Sequence, residues 1–279
     1  MNGTTDKKEV ALVTGASSGI GKAAVGELLD RGIVVYAGAR RMEKMDDIKA
    51  KGARLVKLDV TDDELLSDVV ATIEKEAGAL TILVNNAGYG AYGAVEDVDP
   101  AEARRQFDVN MFGLARLTQM VLPLMRKHGR GRIINVSSMG GRIYTPLGAW
   151  YHATKHAVEG FSDCLRIEVK QFGIDVSVIQ PGAIRSEWES IAADSAQKTS
   201  GNGPYAKFTE ATVKTMKNAY TKGRPSPPEV VARTIAHAAL SRRPRTRYAP
   251  GRNAKLLLTM RRWLTDRAFD ALVRMAYGL

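Results

Sequence analysis

An apolar run that passes directly into a glycine-rich turn and then into a helix limits this chain to few folds. Residues 9–14 close with Val10-Ala11-Leu12-Val13-Thr14, apolar at nearly every position, so the strand they imply needs cover on both faces. Gly15-Ala16-Ser17-Ser18-Gly19-Ile20-Gly21 follows, and Lys22 to Arg31 continues at helical spacing. Strand, glycine-rich turn and helix in that order can cradle a pyrophosphate on the N–H groups of a helix N-terminus. Gly15 permits the tight turn, Gly19 lets backbone approach phosphate oxygens, and Gly21 lets the helix lie close on the sheet. Taken alone, the same glycines suit a connection with no ligand equally well.

Further along, strand-like and helical segments alternate. Strands are expected near 9–14, 33–39, 54–58, 80–85, 131–136, 174–179 and 246–249, and helices over 19–31, 42–51, 62–77, 100–128, 151–172 and 229–241. That alternation predicts an α/β fold: a doubly wound parallel sheet of Rossmann type with helices on both faces. A length of 279 residues suits one domain spanning 1–279. The stretch 186–228 reads as irregular, and a connection that long is usually functional. It follows the sixth strand, so it can cover the carboxyl edge where ligands of such sheets bind.

Tyr151 and Lys155 stand four residues apart in a helical run, where side chains share a face about 5–6 Å apart at Cβ. A cation beside a phenol favours the phenolate and brings its pKa toward the working range of a general acid/base. The everyday reading of such a pair is a half-buried ring and a solvated charge. His152 and His156 flank the pair but are turned about 100° from their neighbours, which makes neither a catalyst.

Thr14-Gly15-x-x-x-Gly19-x-Gly21, Asn85-Asn86-Ala87-Gly88 and Tyr151-x-x-x-Lys155 occur in one order and at intervals that resemble the short-chain dehydrogenases/reductases, closely over residues 8 to about 185. The resemblance implies a nicotinamide-dependent oxidoreductase with Tyr151 as acid/base and Lys155 on the cofactor ribose. By the same resemblance Ser138 bonds the substrate oxygen and Asn110 holds a water in a proton relay. Ser17, Ser18, Gly19 and Ile20 would line the phosphates. Asp59 and Val60 would hold the adenine, with Asn86, Ala87 and Gly88 at its ribose. Pro181, Gly182, Ile184 and Ser186 would form the wall beside the nicotinamide. No metal is implied. With its long 186–228 stretch and C-terminal extension, the chain resembles relatives that act on retinoids, hydroxysteroids and other apolar alcohols. A 3-oxoacyl carrier-protein reductase is the alternative, and a non-catalytic NADP-sensing protein is the reading from another class. The three residues between Tyr151 and Lys155 disfavour the enoyl reductases, whose spacing is longer.

The second strand ends Val34-Val35-Tyr36-Ala37-Gly38-Ala39-Arg40-Arg41. An enzyme for NAD commonly has a carboxylate where Ala39 stands. Arg40 and Arg41 supply guanidinium groups, which bind a 2′-phosphate by charge-assisted bonds, so NADP(H) is expected over NAD(H). Two solvated arginines in a turn are the plain alternative.

The chain carries a net charge of +11, and Ser241–Leu279 has ten Lys/Arg against two Asp/Glu, a net +8. Within this extension Leu257, Met260, Leu264, Ala268, Leu272 and Met275 recur at helical spacing. A basic amphipathic helix can lie on an anionic membrane, but packing on the protein's own core or a sister subunit is the expectation here. No nucleic-acid motif accompanies the charge. No signal peptide is read in the first residues, and no apolar run has the roughly 18 residues of a membrane span, so a cytoplasmic protein is expected. Cys164, the one cysteine, is expected to be a small core residue. By the resemblance, the helix from Tyr151, with Ala153, Ala157, Phe161 and Leu165 in one band, and the long helix before it imply a homodimer or homotetramer.

Overall fold

A computed structural model describes residues 9–221 and 223–279 of the chain. Residues 1–8, read above for a signal peptide, and Lys222 lie outside them. Among the described residues seven strands pair in parallel, in the order β3-β2-β1-β4-β5-β6-β7. They are β1 Val10–Thr14, β2 Val34–Ala39, β3 Arg54–Lys57, β4 Ile82–Asn85, β5 Gly131–Val136, β6 Ile174–Ile179 and β7 Arg247–Tyr248.

Alternate residues of β1 serve two cores. Ala11 and Val13 face α1 Gly19–Leu29, α2 Asp46–Ala50 and α9 Glu229–Leu240, packing with Val25, Leu28, Ile48 and Ile235. Val10 and Leu12 face α3 Asp63–Ala77, α5 Gly113–His128 and α6 Ala149–Val169, packing with Leu66, Ile73, Leu117 and Leu165. A strand covered on both sides has no polar face to show, which is why its sequence is continuously apolar. Strand order reverses between β1 and β4, and the crevice at their carboxyl ends is where such sheets take ligands.

Three segments and one residue depart from the sequence reading. The expected helix 100–128 is α4 Pro100–Phe107, a π turn over Asp108–Phe112, and α5. The stretch 186–228 is not irregular: it holds α7 Trp188–Ser200 and α8 Ala206–Thr221. The face that α7 buries is Ala192, Ala193, Ala196 and Ser200, so its periodicity is carried by small residues and is faint in the sequence. The C-terminal extension is two helices, α10 Ala254–Trp263 and α11 Asp266–Tyr277, because the Thr265 hydroxyl accepts the Ala268 N–H and starts a new helix. The expected stripe is therefore broken. Phe269, outside it, is the buried anchor, while Ala268 and Met275 are exposed. Cys164 is exposed too, since α6 turns its other faces to the sheet. Among the described residues no helix is long and apolar enough to cross a membrane.

Candidate active site

The Thr14 hydroxyl ties the glycine turn to the loop after β4. It accepts the N–H groups of Asn86 and Ala87, each at 3.0 Å, and Asn86 Nδ2 donates back to Thr14 O at 3.0 Å. Gly15 and Gly19 have positive φ, a region that costs other residues energy. At Gly21 a Cβ would lie 2.3 Å from Gly15 O, so the helix can sit this close only without a side chain. Ser18 caps α1 in extended backbone but makes no side-chain cap bond, and the first turn has no acid. Its N–H groups are thus available to an anion. A cleft of about 550 Å³ over this turn is lined by Ser17, Ser18, Gly19, Lys22, Lys44 and Ser186 among others. These residues fit the phosphates of a dinucleotide.

Arg41 reaches over the same turn, 3.4 Å from Ser17 Oγ and 3.5 Å from Ser18 Oγ, and pairs loosely with Glu187 at 3.6 Å. Arg40 lies 3.8 Å from Asp59. Exposed pairs at such distances hold weakly and can be exchanged for a stronger anion. Val60 is fixed from the other side: a Cβ on Gly113, just after the π turn, would meet Val60 O at 2.4 Å.

The π turn swings Asn110 into the interior. Its Nδ2 donates to Tyr89 O at 2.8 Å and to Thr154 Oγ1 at 3.1 Å, and its Oδ1 accepts the Tyr89 N–H at 3.0 Å. A Cβ on Gly88 would sit 2.9 Å from Asn110 Oδ1 and 3.6 Å from Lys155 Nζ, so the three groups converge. Extra turns of this kind are frequent at functional sites.

At the carboxyl end of β5, Ser138 Oγ accepts the Gly140 N–H at 3.0 Å and lies near enough to the Tyr151 phenol to draw its pKa down. Burial pushes the phenol up to about 12, and Ser138 opposes the rise. Lys155, also buried, is pulled down to about 8 by desolvation, with Glu159 one turn on acting the other way. The Lys155 ammonium donates to Val136 O, 3.0 Å away, and burial keeps the Tyr151 phenol protonated at neutral pH.

Pro181 O accepts the Met139 N–H at 3.0 Å, and Gly182 N–H donates to Pro250 O at 2.9 Å. Ile184 is buried, and Ser186 accepts the Trp188 N–H at 3.4 Å, which places the segment as a wall between Ser138 and the start of α7.

Several neighbours escaped the sequence reading. Tyr92 and Trp188 stack around the Tyr151 ring, with centroids 5.9 and 5.2 Å away. Leu147 holds φ +61° just before α6, a costly conformation that its burial with Tyr92 and Tyr151 sustains. Glu159, nearly inaccessible, accepts Arg247 Nε at 2.8 Å and Gln180 Nε2 at 3.0 Å, tying α6 to the sheet edge. Only the glycines at 90 and 93, each too close to a neighbour for a side chain, hinted at crowding near Tyr92.

His152 is a structural pin. The Thr145 N–H donates to its Nε2 at 3.0 Å, which leaves Nδ1 to donate to Gly140 O at 2.9 Å and fixes a neutral tautomer. Burial pushes its pKa down to about 4. The unfolded chain takes up this proton below about 6.5 and the folded chain does not, so stability falls as pH drops from there toward 4. Between about pH 7 and pH 5 the group should cost ~2 kcal/mol. Urea unfolding at both pH values should show that loss in the wild type and a smaller one in His152→Gln. Equal losses would contradict it.

A profile of the family described as short chain dehydrogenase matches residues 9–196. The chain belongs to that family. A probable short-chain type dehydrogenase/reductase, VdlC, from Helicobacter pylori is 34% identical over 95% of this chain and 97% of its own. A 3-ketodihydrosphingosine reductase from Bacteroides thetaiotaomicron is 32% identical over 97% of this chain and 98% of its own. The crystal structure of a short-chain dehydrogenase from Streptomyces avermitilis superposes with a TM-score of 0.79 at 36% identity, covering 92% of each chain. Membership makes the protein an oxidoreductase with a nicotinamide nucleotide as cofactor.

Proposed function

We propose that this dehydrogenase reduces a bulky, apolar ketone or aldehyde with NADPH, with Asn110, Ser138, Tyr151 and Lys155 as its working groups. The observation that carries the reading is a protonated Tyr151 with Ser138 beside it, its ring packed among Tyr92, Leu147 and Trp188. The cofactor, when bound, supplies the hydride. Ser138 and Tyr151 bond the carbonyl oxygen, and Tyr151 gives it a proton as charge develops. Asn110, through a water, and Lys155 replenish that proton from the Gly88 side, and Lys155 binds the ribose. Tyr92 and Trp188 pack against the Tyr151 ring and keep water from it, which favours an apolar substrate. The sphingoid ketone in one relative's name is of that class.

NADPH over NADH rests on Ala39, Arg40 and Arg41 and on the position of Arg41 above Ser17 and Ser18. Exposed Phe112 and Ile167, beside α5 and on α6, support assembly through those helices. A screen of ketones and alcohols with each cofactor, followed by nicotinamide absorbance, tests the whole reading. Long-chain ketones should turn over with NADPH; no turnover of any carbonyl compound would refute it. Ala39→Asp with Arg40→Ala should weaken NADPH by about 1.5–3 kcal/mol, the scale of charged hydrogen bonds, and spare NADH. A wild type that binds NADH more tightly than NADPH would refute the choice of cofactor.

A further inference from the structure

Three of the large apolar side chains most open to solvent lie on the two C-terminal helices: Leu256 is 61% exposed, Trp263 78% and Met275 73%. Helical geometry sorts them. In α10 the buried residue is Ala254, and at 100° per residue Leu256 and Trp263 stand on the opposite side. Leu256, Thr259, Met260 and Trp263 form an outward strip at i, i+3, i+4 and i+7, bordered by exposed Lys255 and Arg262. In α11 the anchor is Phe269, and the side opposite it carries Ala271 and Met275, bordered by exposed Arg267 and Arg274. Both helices therefore turn their inner faces to the protein and carry a second, apolar strip with a cationic border away from it.

The charges say what that surface fits. Its two acids are already engaged, Asp266 with Arg261 at 2.6 Å and Asp270 with the Tyr144 hydroxyl at 2.7 Å. Among the described residues Lys255, Arg262, Arg267 and Arg274 make no ion pair with a carboxylate. A second copy of this chain would set these cations against their own kind, at a cost in energy. An anionic lipid surface is complementary to them, and its interfacial zone takes Trp and Leu side chains.

We infer that α10 and α11 form a docking surface for anionic membranes, in which Leu256, Trp263 and Met275 enter the headgroup zone and the bordering cations bind lipid phosphates. The placement is independent of the catalytic assignment, so either can fail alone.

Co-sedimentation of the full chain with vesicles tests this, using phosphatidylcholine alone or mixed equally with phosphatidylglycerol. Binding should occur with the mixed vesicles and weaken with added salt. Leu256→Ser with Trp263→Ser should weaken it about a hundredfold, because two exposed apolar groups lose their burial. Arg262→Gln, Arg267→Gln and Arg274→Gln together should also weaken it about a hundredfold, at roughly fivefold for each cation. Since all five residues are exposed, helix content by circular dichroism should stay at the wild-type value. Failure of the intact chain to bind mixed vesicles, equal binding to uncharged ones, or undiminished binding by both variants would overturn the assignment. A wild-type molar mass that drops in Leu256→Ser/Trp263→Ser, with no vesicle binding, would give the surface to a second copy instead.

Discussion

Replacing Tyr151 with Phe is expected to cut turnover by about 10²–10⁴-fold, the contribution of a positioned proton donor, while NADPH still binds. The substitution removes one hydroxyl. The ring's contacts with Tyr92 and Trp188, which hold the pocket, remain. Ser138 would keep its bond from the Gly140 N–H. The loss should therefore appear in kcat, with melting temperature and nicotinamide fluorescence titration close to wild type. Because burial raises the phenol to about 12, reduction should persist across neutral pH without a fall that reports Tyr151 ionising. Near-wild-type kcat in Tyr151→Phe would remove this residue from the chemistry, whatever its position.

Gly21→Val should act through the backbone. A Cβ there meets Gly15 O at 2.3 Å and Asn86 Nδ2 at 2.5 Å, and that amide is itself bonded to Thr14 O and Gly15 O. Neither neighbour can swing aside, so α1 must move off the sheet and take the N–H groups over the glycine turn with it. Overpacking of this kind costs about 1–3 kcal/mol, and in a chain of this size each kcal/mol lowers the melting temperature by about 2–4 °C. NADPH affinity should fall roughly tenfold or more, since 1.4 kcal/mol of lost phosphate contact is a factor of ten. Gly26→Ala in the same helix is the control. Nothing lies within 4 Å of a Cβ there, and the helix should gain about 0.5–1 kcal/mol. Wild-type melting and cofactor affinity in Gly21→Val would show that the close contact is not needed.

Each described strand falls within its expected segment, and the central strands were legible because a strand covered on both faces is written in continuous apolar residues. Gly15, Asn86, Tyr151 and Lys155 were legible through spacing, which survives without knowledge of contacts. What spacing could not carry was direction. It put Lys155 on the face of Tyr151 but not its ammonium on Val136 O, since a flexible four-carbon stem goes to the best acceptor in reach. Similarly, α7 was missed because it packs through alanines, and Glu159 because its partners Arg247 and Gln180 are distant in sequence. In the C-terminal extension a regular stripe suggested one helix, while a single hydroxyl at Thr265 made it two.

The wall formed by residues 181–186 is held by chain that is made much later. Gly182 and Ala183 donate to Pro250 and Arg252, and Arg185 donates to Ser226. Closing loops this long adds entropy cost only slowly, but such contacts come late in folding. A nascent chain could lay down the glycine turn, β5 and the Tyr151 helix while still on the ribosome. It could not finish the nicotinamide side of the cleft until residues near 250 had cleared the exit tunnel. The segment near 250 would then act as a latch on a site whose chemistry was encoded a hundred residues earlier.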